Sequence, residues 1–367
     1  MWGKIMQDDF EQNGSVMIKN IAIGNKTIGP GSPIYIIAEM SANHNQDFDQ
    51  AVQLIKAAKE AGADAIKLQT YTPDTITIDC DNEYFRIGKG TIWEGKNLYE
   101  LYKEAYTPWE WQPKLKKIAN DLGMDLFSTP FDKTAVDFLQ KMDVPAYKIA
   151  SFELVDIPLI QYVAQIGKPI IMSTGMATLS EIDEAVTAAG EAGCKEVALL
   201  KCTSAYPADP AEINLRTIPH MAEAFGVPVG LSDHTLGIAV PVAAVALGTC
   251  IVEKHLTLSR SIPGPDSAFS IAPHEFKKMV DAIRITEKAL GDCSYEITEK
   301  QKPNRVFRKS IFVVKNVKEN EVFTKENIRS IRPGYGLHTR YFNTIIGKHA
   351  SRDIDRGTPI TWDMVGK

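Results

Sequence analysis

Eight short apolar runs in this chain each end in a small group of polar or charged residues. The groups hold ammonium, carboxylate, imidazole and hydroxyl side chains, which together can bind an anion, hold a metal ion and transfer a proton. They are Glu39; Lys67 and Gln69; Ser128 and Thr129; Lys148 and Ser151; Ser173 and Thr174; Lys201 and Thr203; Ser232, Asp233 and His234; and Glu253 and His255. In a closed parallel barrel every strand ends on one face, so this pattern predicts an enzyme with one pocket there.

Two of these groups contain a lysine in an otherwise apolar run, Lys67 and Lys148. A buried lysine needs an anionic partner. A single such lysine would be explained best by a salt bridge, here to Glu39 or Glu153. Two lysines accompanied by strand-end hydroxyls instead indicate a cradle for a small polyanion such as a phosphorylated carboxylate.

Two histidines, His234 in GLSDHT and His255 in EKH, end neighbouring predicted strands. One histidine alone is more often a neutral ring bonded to the backbone. The pair at matched strand ends favours a divalent metal site with open positions, where Mn²⁺ is expected ahead of Mg²⁺ or Co²⁺. Barrel closure would place Glu39 beside them as a ligand or as a general base.

Other reactive or aromatic residues are weaker candidates. His44, in SANHN, is a possible substrate contact, whereas Cys202 has no histidine beside it in the sequence and is predicted to be a packing residue. The segment from 84 to 112 holds eight aromatic residues, most of them expected to pack beneath a long loop and some to line a sugar pocket.

The elements that must position these residues alternate along the chain. Strands are predicted at 34–39, 64–69, 124–129, 146–151, 169–174, 196–202, 227–232 and 250–255. Helical segments separate them, and the clearest begins with a capping box formed by Thr178 and Glu181. An open doubly wound sheet would alternate in the same way, but the count of eight and the absence of a GxGxxG turn favour a (β/α)8 TIM barrel.

The remainder of the chain predicts a second, smaller domain. Residues 1–33 form an N-terminal segment with a β-hairpin at Gly24 and Asn25 that caps the barrel, and residues 34–292 form the barrel. A polar linker follows at 293–309. Residues 310–367 then give short β-rich pieces, and a module of that size buries little core by itself.

Composition excludes several classes of protein. The 367 residues carry a formal net charge of −5, which gives no long-range attraction for nucleic acid. No apolar stretch reaches the length of a membrane span and the first fifteen residues lack a secretory signal, so a cytoplasmic protein is expected. Five cysteines without a CxxC pair indicate reduced thiols.

A run of motifs in fixed order resembles the sialic acid synthase family, and within it the branch that makes pseudaminic acid. The motifs are AEMSANHN, KLQTYTPDT, FSTPFD, YKIAS, IIMSTGM, KCTSAYP, GLSDHT, EKHLT, PGPDSAFS and RPGYG. The chain has Ser204 where neuraminic acid synthases have asparagine in their CTNxYP motif, and AEMSA where they have a glycine after AEI. Both departures fit the pseudaminic branch.

The resemblance implies a metal-dependent condensation of phosphoenolpyruvate with open-chain 2,4-diacetamido-2,4,6-trideoxy-L-altrose, which releases phosphate. It implies catalytic roles for Glu39, Lys67, Lys148, His234 and His255, the last two as metal ligands. It implies substrate contacts for Asn43, Gln69, Thr129, Ser151, Glu153, Ser173, Tyr206, Ser232, Asp266 and Arg332. The lysines are expected to stabilise charge and not to form a Schiff base.

The C-terminal module resembles the antifreeze-like (SAF) domain of these synthases. The resemblance implies a domain-swapped homodimer in which Arg332 of RPGYG reaches the sugar site of the other subunit; otherwise Arg332 is a solvated loop residue. Three alternatives remain: a legionaminic acid, neuraminic acid or spore-coat polysaccharide synthase, another aldolase-type barrel, or a carbohydrate- or ice-binding protein without activity.

Overall fold

A computed structural model describes residues 17–366 of the chain, so the first sixteen residues of the predicted N-terminal segment lie outside the described part. A hairpin comes first, with β1 at Ile21–Ile23 paired antiparallel to β2 at Lys26–Ile28. Gly24 turns the chain with a φ of 58°, a conformation that glycine adopts without steric cost. Ile21, Ile23 and Ile28 of the hairpin are buried in one hydrophobic cluster with residues of the barrel strands.

Eight parallel strands follow and close into a barrel, which confirms the predicted TIM barrel. They are β3 Tyr35–Glu39, β4 Ala65–Thr70, β5 Asp125–Pro130, β6 Tyr147–Ile149, β7 Ile170–Ser173, β8 Val197–Cys202, β9 Val229–Asp233 and β10 Ile251–His255. The first strand pairs with the last, and His255 is in register with Glu39. Closure therefore puts the two ends of the barrel sequence side by side.

Helices cover the outside of the barrel. Those that follow the strands are Phe48–Ala61, Gln112–Asp121, Lys133–Lys141, Ile157–Ala164, Leu179–Glu191, Thr217–Phe225, Ala239–Val245 and Pro273–Leu290. The predicted capping box is present, since Glu181 N donates to Thr178 Oγ1 at 3.3 Å and Thr178 N donates to Glu181 Oε2 at 2.7 Å. The chain between β4 and Gln112 is an insertion that carries two further helices, Pro73–Ile76 and Leu98–Ala105.

The second compact unit begins at Asp292. Its two-stranded antiparallel sheet pairs β11 at Ser310–Val313 with β12 at Ile328–Ile331, and a short helix covers Phe342–Ile345. Ile311, Phe323 and Ile345 are fully buried in a small separate core. Across residues 17–366, the helices are all too short or too polar to span a bilayer.

A buried ion pair fixes the ends of β9 and β10. Lys254 Nζ contacts the carboxylate of Asp233 and also donates to the carbonyl of Thr235, and both side chains of the pair are fully buried. Successive strand residues point to opposite faces, so Lys254 points toward the helices while Glu253 and His255 point into the barrel. The pair thus lies directly behind the two strand ends that carry the histidines.

Replacing Lys254 by methionine should lower the free energy of unfolding by about 3–5 kcal/mol, because Asp233 is left buried and unpaired. The double variant Asp233→Asn with Lys254→Met should lose less than the sum of the two single changes. Urea unfolding of the full chain measures both. Lys117→Met, in the exposed pair with Asp121, is the control and should leave the midpoint unchanged. An equal midpoint for Lys254→Met and the native chain would contradict this role.

Candidate active site

One cavity of about 470 Å³ opens at the carboxyl ends of the strands. It gathers most of the site residues predicted from sequence, although they are spread over two hundred positions. Those that line it are Lys67, Gln69, Lys148, Ser151, Glu153, Ser173, Tyr206, Ser232, His234, His255 and Asp266. The strands deliver these side chains to one face because they are parallel and the sheet is closed.

Four other predicted residues do not line the cavity. Glu39 is buried next to it, in contact with Lys67, and Thr129 Oγ1 accepts a weak hydrogen bond from Lys67 Nζ at 3.4 Å. The amide of Asn43 donates to Leu256 O at 3.0 Å and to Ser270 Oγ at 2.9 Å, so it holds the loop after β10. Arg332 belongs to the unit that begins at Asp292, and its role stays a prediction.

Lys67 lies between two buried carboxylates. Its Nζ is 2.7 Å from Glu39 Oε2 and 3.3 Å from Glu253 Oε1. Burial lowers the pKa of Lys67, but the two carboxylates outweigh it and raise the pKa above its usual value. The salt bridge considered for an isolated lysine is therefore present at Lys67, and it leaves this ammonium charged.

Lys148 differs because no carboxylate within residues 17–366 pairs with it. Its Nζ donates to Ser173 Oγ at 2.6 Å and to Ile149 O at 3.1 Å. Burial is the main reason that the pKa of Lys148 falls to about 8, and the nearby Lys67 adds to the fall. A buried cation with neutral hydrogen-bond partners would be stabilised by an incoming anion.

His234 and His255 lie together, with ring centroids 5.3 Å apart. His234 Nδ1 donates to Thr203 O at 2.9 Å. Because a carbonyl only accepts, Nδ1 carries the proton of this bond, and Nε2 is the ring nitrogen left for another partner. Burial, aided by the neighbouring cations, keeps the pKa of His255 well below its usual value, so that ring is neutral. Its Nδ1 is buried and has no hydrogen-bond partner among the described residues.

These two rings could donate to one divalent ion. Residues 17–366 contain no cluster of three or more His, Cys, Asp or Glu side chains placed for a metal. Glu39 in particular is already bonded to Lys67 and to Ser41 N. The donor set therefore fits an ion with two imidazole ligands whose other positions are filled by substrate or water, which suits oxygen-preferring divalent ions.

Cys202, predicted to be a packing residue because no histidine adjoins it in the sequence, lies in the cavity wall with a histidine close in space. Its Sγ is 3.9 Å from His234 Nδ1. Burial raises the pKa of this thiol, but His234 and other neighbours outweigh burial and lower the pKa to about 7. The sequence could not show this contact because the two residues are on different strands.

Further polar groups of the cavity include a hydrogen-bonded chain next to Glu39. Gln69 Nε2 donates to Ser41 Oγ at 2.9 Å, and Ser41 Oγ donates in turn to the carboxylate of Asp266. Glu153 has one carboxylate oxygen buried without a hydrogen-bond partner in the described part of the chain. Burial is the largest cause that raises the pKa of Glu153 to about 7. These groups can bind a polyhydroxylated or amide-bearing substrate.

The aromatic segment contributes less to the cavity than its composition suggests. Of its eight aromatic residues, Trp93 and Tyr102 line the cavity. Trp93 Nε1 donates to Pro265 O at 3.0 Å, and its ring packs on Tyr206 and Phe269. His44 does not reach the cavity; it is fully buried against Trp111 and bonded to Thr107, so its role is packing.

Sequence analysis named Glu253 among the strand-end groups but gave it no role. Glu253 bonds Lys67 and Ser232, and the signal for that role was its position two residues before His255 on the same strand face. One set of residues was missed altogether, the aliphatic part of the cavity lining supplied by the insertion. No sequence signal separated those residues from ordinary loop packing.

The chain is similar to known proteins along nearly its whole length. The model of the NeuB family matches residues 54–295, and that of the SAF domain matches residues 308–366. Pseudaminic acid synthase from Campylobacter jejuni is 47% identical over 88% of this chain and 94% of its own length. The synthase of the same name from Helicobacter pylori is 43% identical over 91% of this chain and 98% of its own length. A crystal structure of N-acetylneuraminic acid synthetase from Leptospira borgpetersenii, in complex with citrate, superposes with a TM-score of 0.70 at 32% identity, covering 78% of this chain and 95% of that one.

Replacing Glu153 by glutamine should stabilise the protein at pH 8. The folded-state pKa of about 7 lies above the ordinary value of 4.5, so the folded state binds the proton more tightly and native stability falls as pH rises through this interval. The variant should therefore be more stable at pH 8 by on the order of 2 kcal/mol, with no gain at pH 4.

Urea midpoints of the native chain and the variant at the two pH values measure this difference. Glu110→Gln, at an exposed position of the insertion, is the control and should change neither midpoint. An equal change in the urea midpoint of the variant at both pH values would show that burial does not raise the pKa of Glu153.

Proposed function

This chain belongs to the NeuB family, and we propose how its residues join phosphoenolpyruvate to an open-chain diacetamido 6-deoxy sugar. Its function is that of a pseudaminic acid synthase, a transferase-type enzyme. The runner-up functions are those of the sister synthases for legionaminic or neuraminic acid, and of the spore-coat enzyme. The proposed residue roles rest on one observation. Lys148, its hydroxyl partner Ser173 and the two histidines line the same cavity.

The phosphate and carboxylate of phosphoenolpyruvate bind at Lys148. Ser173 already accepts from its ammonium, and Ser151 and Ser232 line the same part of the cavity. Lys67 supplies less free charge because Glu39 and Glu253 neutralise it. Lys148 is accordingly the principal anion-binding group, with Thr129 acting through Lys67.

His234 and His255 are the residues that would hold a divalent ion, with Mn²⁺ proposed ahead of Mg²⁺ and Co²⁺. When bound, such an ion supplies Lewis-acid polarisation of the sugar aldehyde. The thiol of Cys202 and the carbonyl of Thr203 both contact Nδ1 of the His234 ring. These contacts hold the imidazole in its orientation before substrate binds.

Glu39 orients the water that completes the reaction. The enol carbon of phosphoenolpyruvate attacks the aldehyde carbon, and water then adds to the cationic carbon left behind. Burial is the largest cause that raises the pKa of Glu39, which makes its carboxylate a better proton acceptor. Loss of phosphate by C–O cleavage from the resulting hemiketal gives the 2-keto acid. Lys148 and Lys67 stabilise the negative charge throughout.

We assign the sugar to Gln69, Glu153, Tyr206 and Asp266, which we call the sugar side. All four line the cavity and carry the amide, carboxyl and hydroxyl groups needed to bind its hydroxyl and acetamido groups. A protonated Glu153 can donate a hydrogen bond, which its raised pKa favours near neutral pH. Asn43 supports this side indirectly through the loop that it holds.

The SAF domain completes the sugar site in a domain-swapped homodimer. The support for this proposal is the RPGYG motif, in which Arg332 is a permanent cation on a domain of its own. The barrel cavity itself offers no arginine among its lining residues in the described part of the chain. A guanidinium from the partner would pair with the acidic groups of the sugar side.

Phosphate release from phosphoenolpyruvate tests the reaction. The native enzyme should release phosphate with the diacetamido 6-deoxy altrose sugar and only slowly with mannosamine or legionaminic precursors, and a chelator should abolish release until Mn²⁺ is restored.

Lys148→Met should lower the rate of phosphate release by about a thousandfold or more, because the anion loses its free cation. Lys201→Met is the control, since Lys201 is the last residue but one of β8, two strands away from β6, and does not line the cavity. Activity that is indifferent to chelator, or unchanged in Lys148→Met, would refute these roles.

A mixing experiment tests the swapped dimer. Glu39→Gln and Arg332→Ala chains should each be impaired, and co-expression should restore about a quarter of native activity, because half of the dimers are mixed and each has one intact site. If the arginine acts within its own chain, both sites of a mixed dimer carry one defect and no activity returns. Arg332→Lys should keep part of the sugar affinity, and the Michaelis constant for phosphoenolpyruvate should not change.

A further inference from the structure

The cavity has two chemically different sides. Strand ends provide charged and hydroxyl groups, whereas the insertion between β4 and Gln112 provides aliphatic side chains. We call the second side the aliphatic wall, and its members are Ile76, Ile87, Leu98, Leu101 and Ala105. No member can accept or donate a hydrogen bond through its side chain.

The local structure of the insertion turns these residues toward the cavity. Leu98, Leu101 and Ala105 repeat at helical spacing on Leu98–Ala105, so they share one face of that helix. Asn97 begins the helix, since its Oδ1 accepts from Tyr99 N at 2.8 Å. Ile87 is held by backbone bonds, in which Ile87 N donates to Lys96 O and Gly95 N donates to Ile87 O, each at 2.9 Å.

Contacts with the barrel hold the wall in place. Trp93 links the insertion to Pro265, which directly precedes Asp266, and packs on the aromatic pair Tyr206 and Phe269. Tyr71 and Phe131 meet edge to face at the base of the insertion. These contacts make the wall a fixed part of the cavity lining.

We propose that the aliphatic wall is the specificity-determining surface for the apolar methyl at carbon 6 of the sugar. The inference rests on the proposed function and deepens it. A methyl group against this wall is removed from water at no polar cost. A hydroxymethyl group against these five side chains gives up its bonds to water and finds no partner on them, so the wall disfavours sugars that keep the 6-hydroxyl.

The test compares two sugars on wall variants. The native enzyme should prefer the diacetamido 6-deoxy sugar over its 6-hydroxy counterpart by up to about 100-fold in kcat/KM, the range for a hydrophobic pocket that meets an added hydroxyl. Ile87→Thr and, separately, Ile76→Thr place a hydroxyl on the wall. Each should narrow the preference by about tenfold, with the Michaelis constant for phosphoenolpyruvate unchanged. Ile87→Val should keep the native preference.

Ile78→Thr is the matched control, because Ile78 lies on the same insertion but is 58% exposed and does not line the cavity. The wall proposal is overturned if the native enzyme prefers the 6-deoxy sugar and both wall variants keep that ratio. If the native enzyme releases phosphate faster with the 6-hydroxy sugar, both the proposed substrate and the proposed role of the wall are contradicted. An unchanged Michaelis constant for phosphoenolpyruvate shows that each variant is folded, and the two independent wall positions guard against local damage at one of them.

Discussion

The active site depends on keeping several charges out of water in one small volume. Lys67 can stay charged inside the barrel only because Glu39 and Glu253 reach it from the two adjoining strand ends, on β3 and β10. That arrangement requires the first strand to pair with the last, since Glu39 and Glu253 are more than two hundred residues apart. Closure of the barrel is thus the condition for the charge cluster, and the charge cluster is the condition for binding a polyanion there.

The site leaves some of its buried groups incompletely satisfied. Lys148 has no carboxylate partner in the described chain, one oxygen of Glu153 has no donor, and Nδ1 of His255 has no partner. Each of these costs stability in the absence of ligand. Such groups gather where a ligand supplies the missing interactions, so the same features that strain the protein define where its substrates bind.

Binding and discrimination are divided between scaffold and insertion. The strands carry the groups proposed to bind phosphoenolpyruvate, and the rigid barrel fixes their positions. The insertion after β4 carries the aliphatic wall and is joined to the barrel through Trp93. A loop can change its side chains without disturbing the barrel core, which is a physical reason for related barrels to differ in the sugar they accept while sharing one chemistry.

The eight strands, the barrel and most of the residues around the cavity could be predicted from local pattern, because polar groups at the ends of apolar runs are visible in the sequence and parallel closure brings them together. The family could be identified from motifs in fixed order. The partners of each group became visible in the folded chain alone: Glu253 shares Lys67, Cys202 touches His234, and His44 packs away from the cavity. It likewise showed that five aliphatic side chains of the insertion line the cavity beside its aromatic residues. These outcomes depend on which side chains from distant strands and loops share a volume, and local spacing carries no information about that.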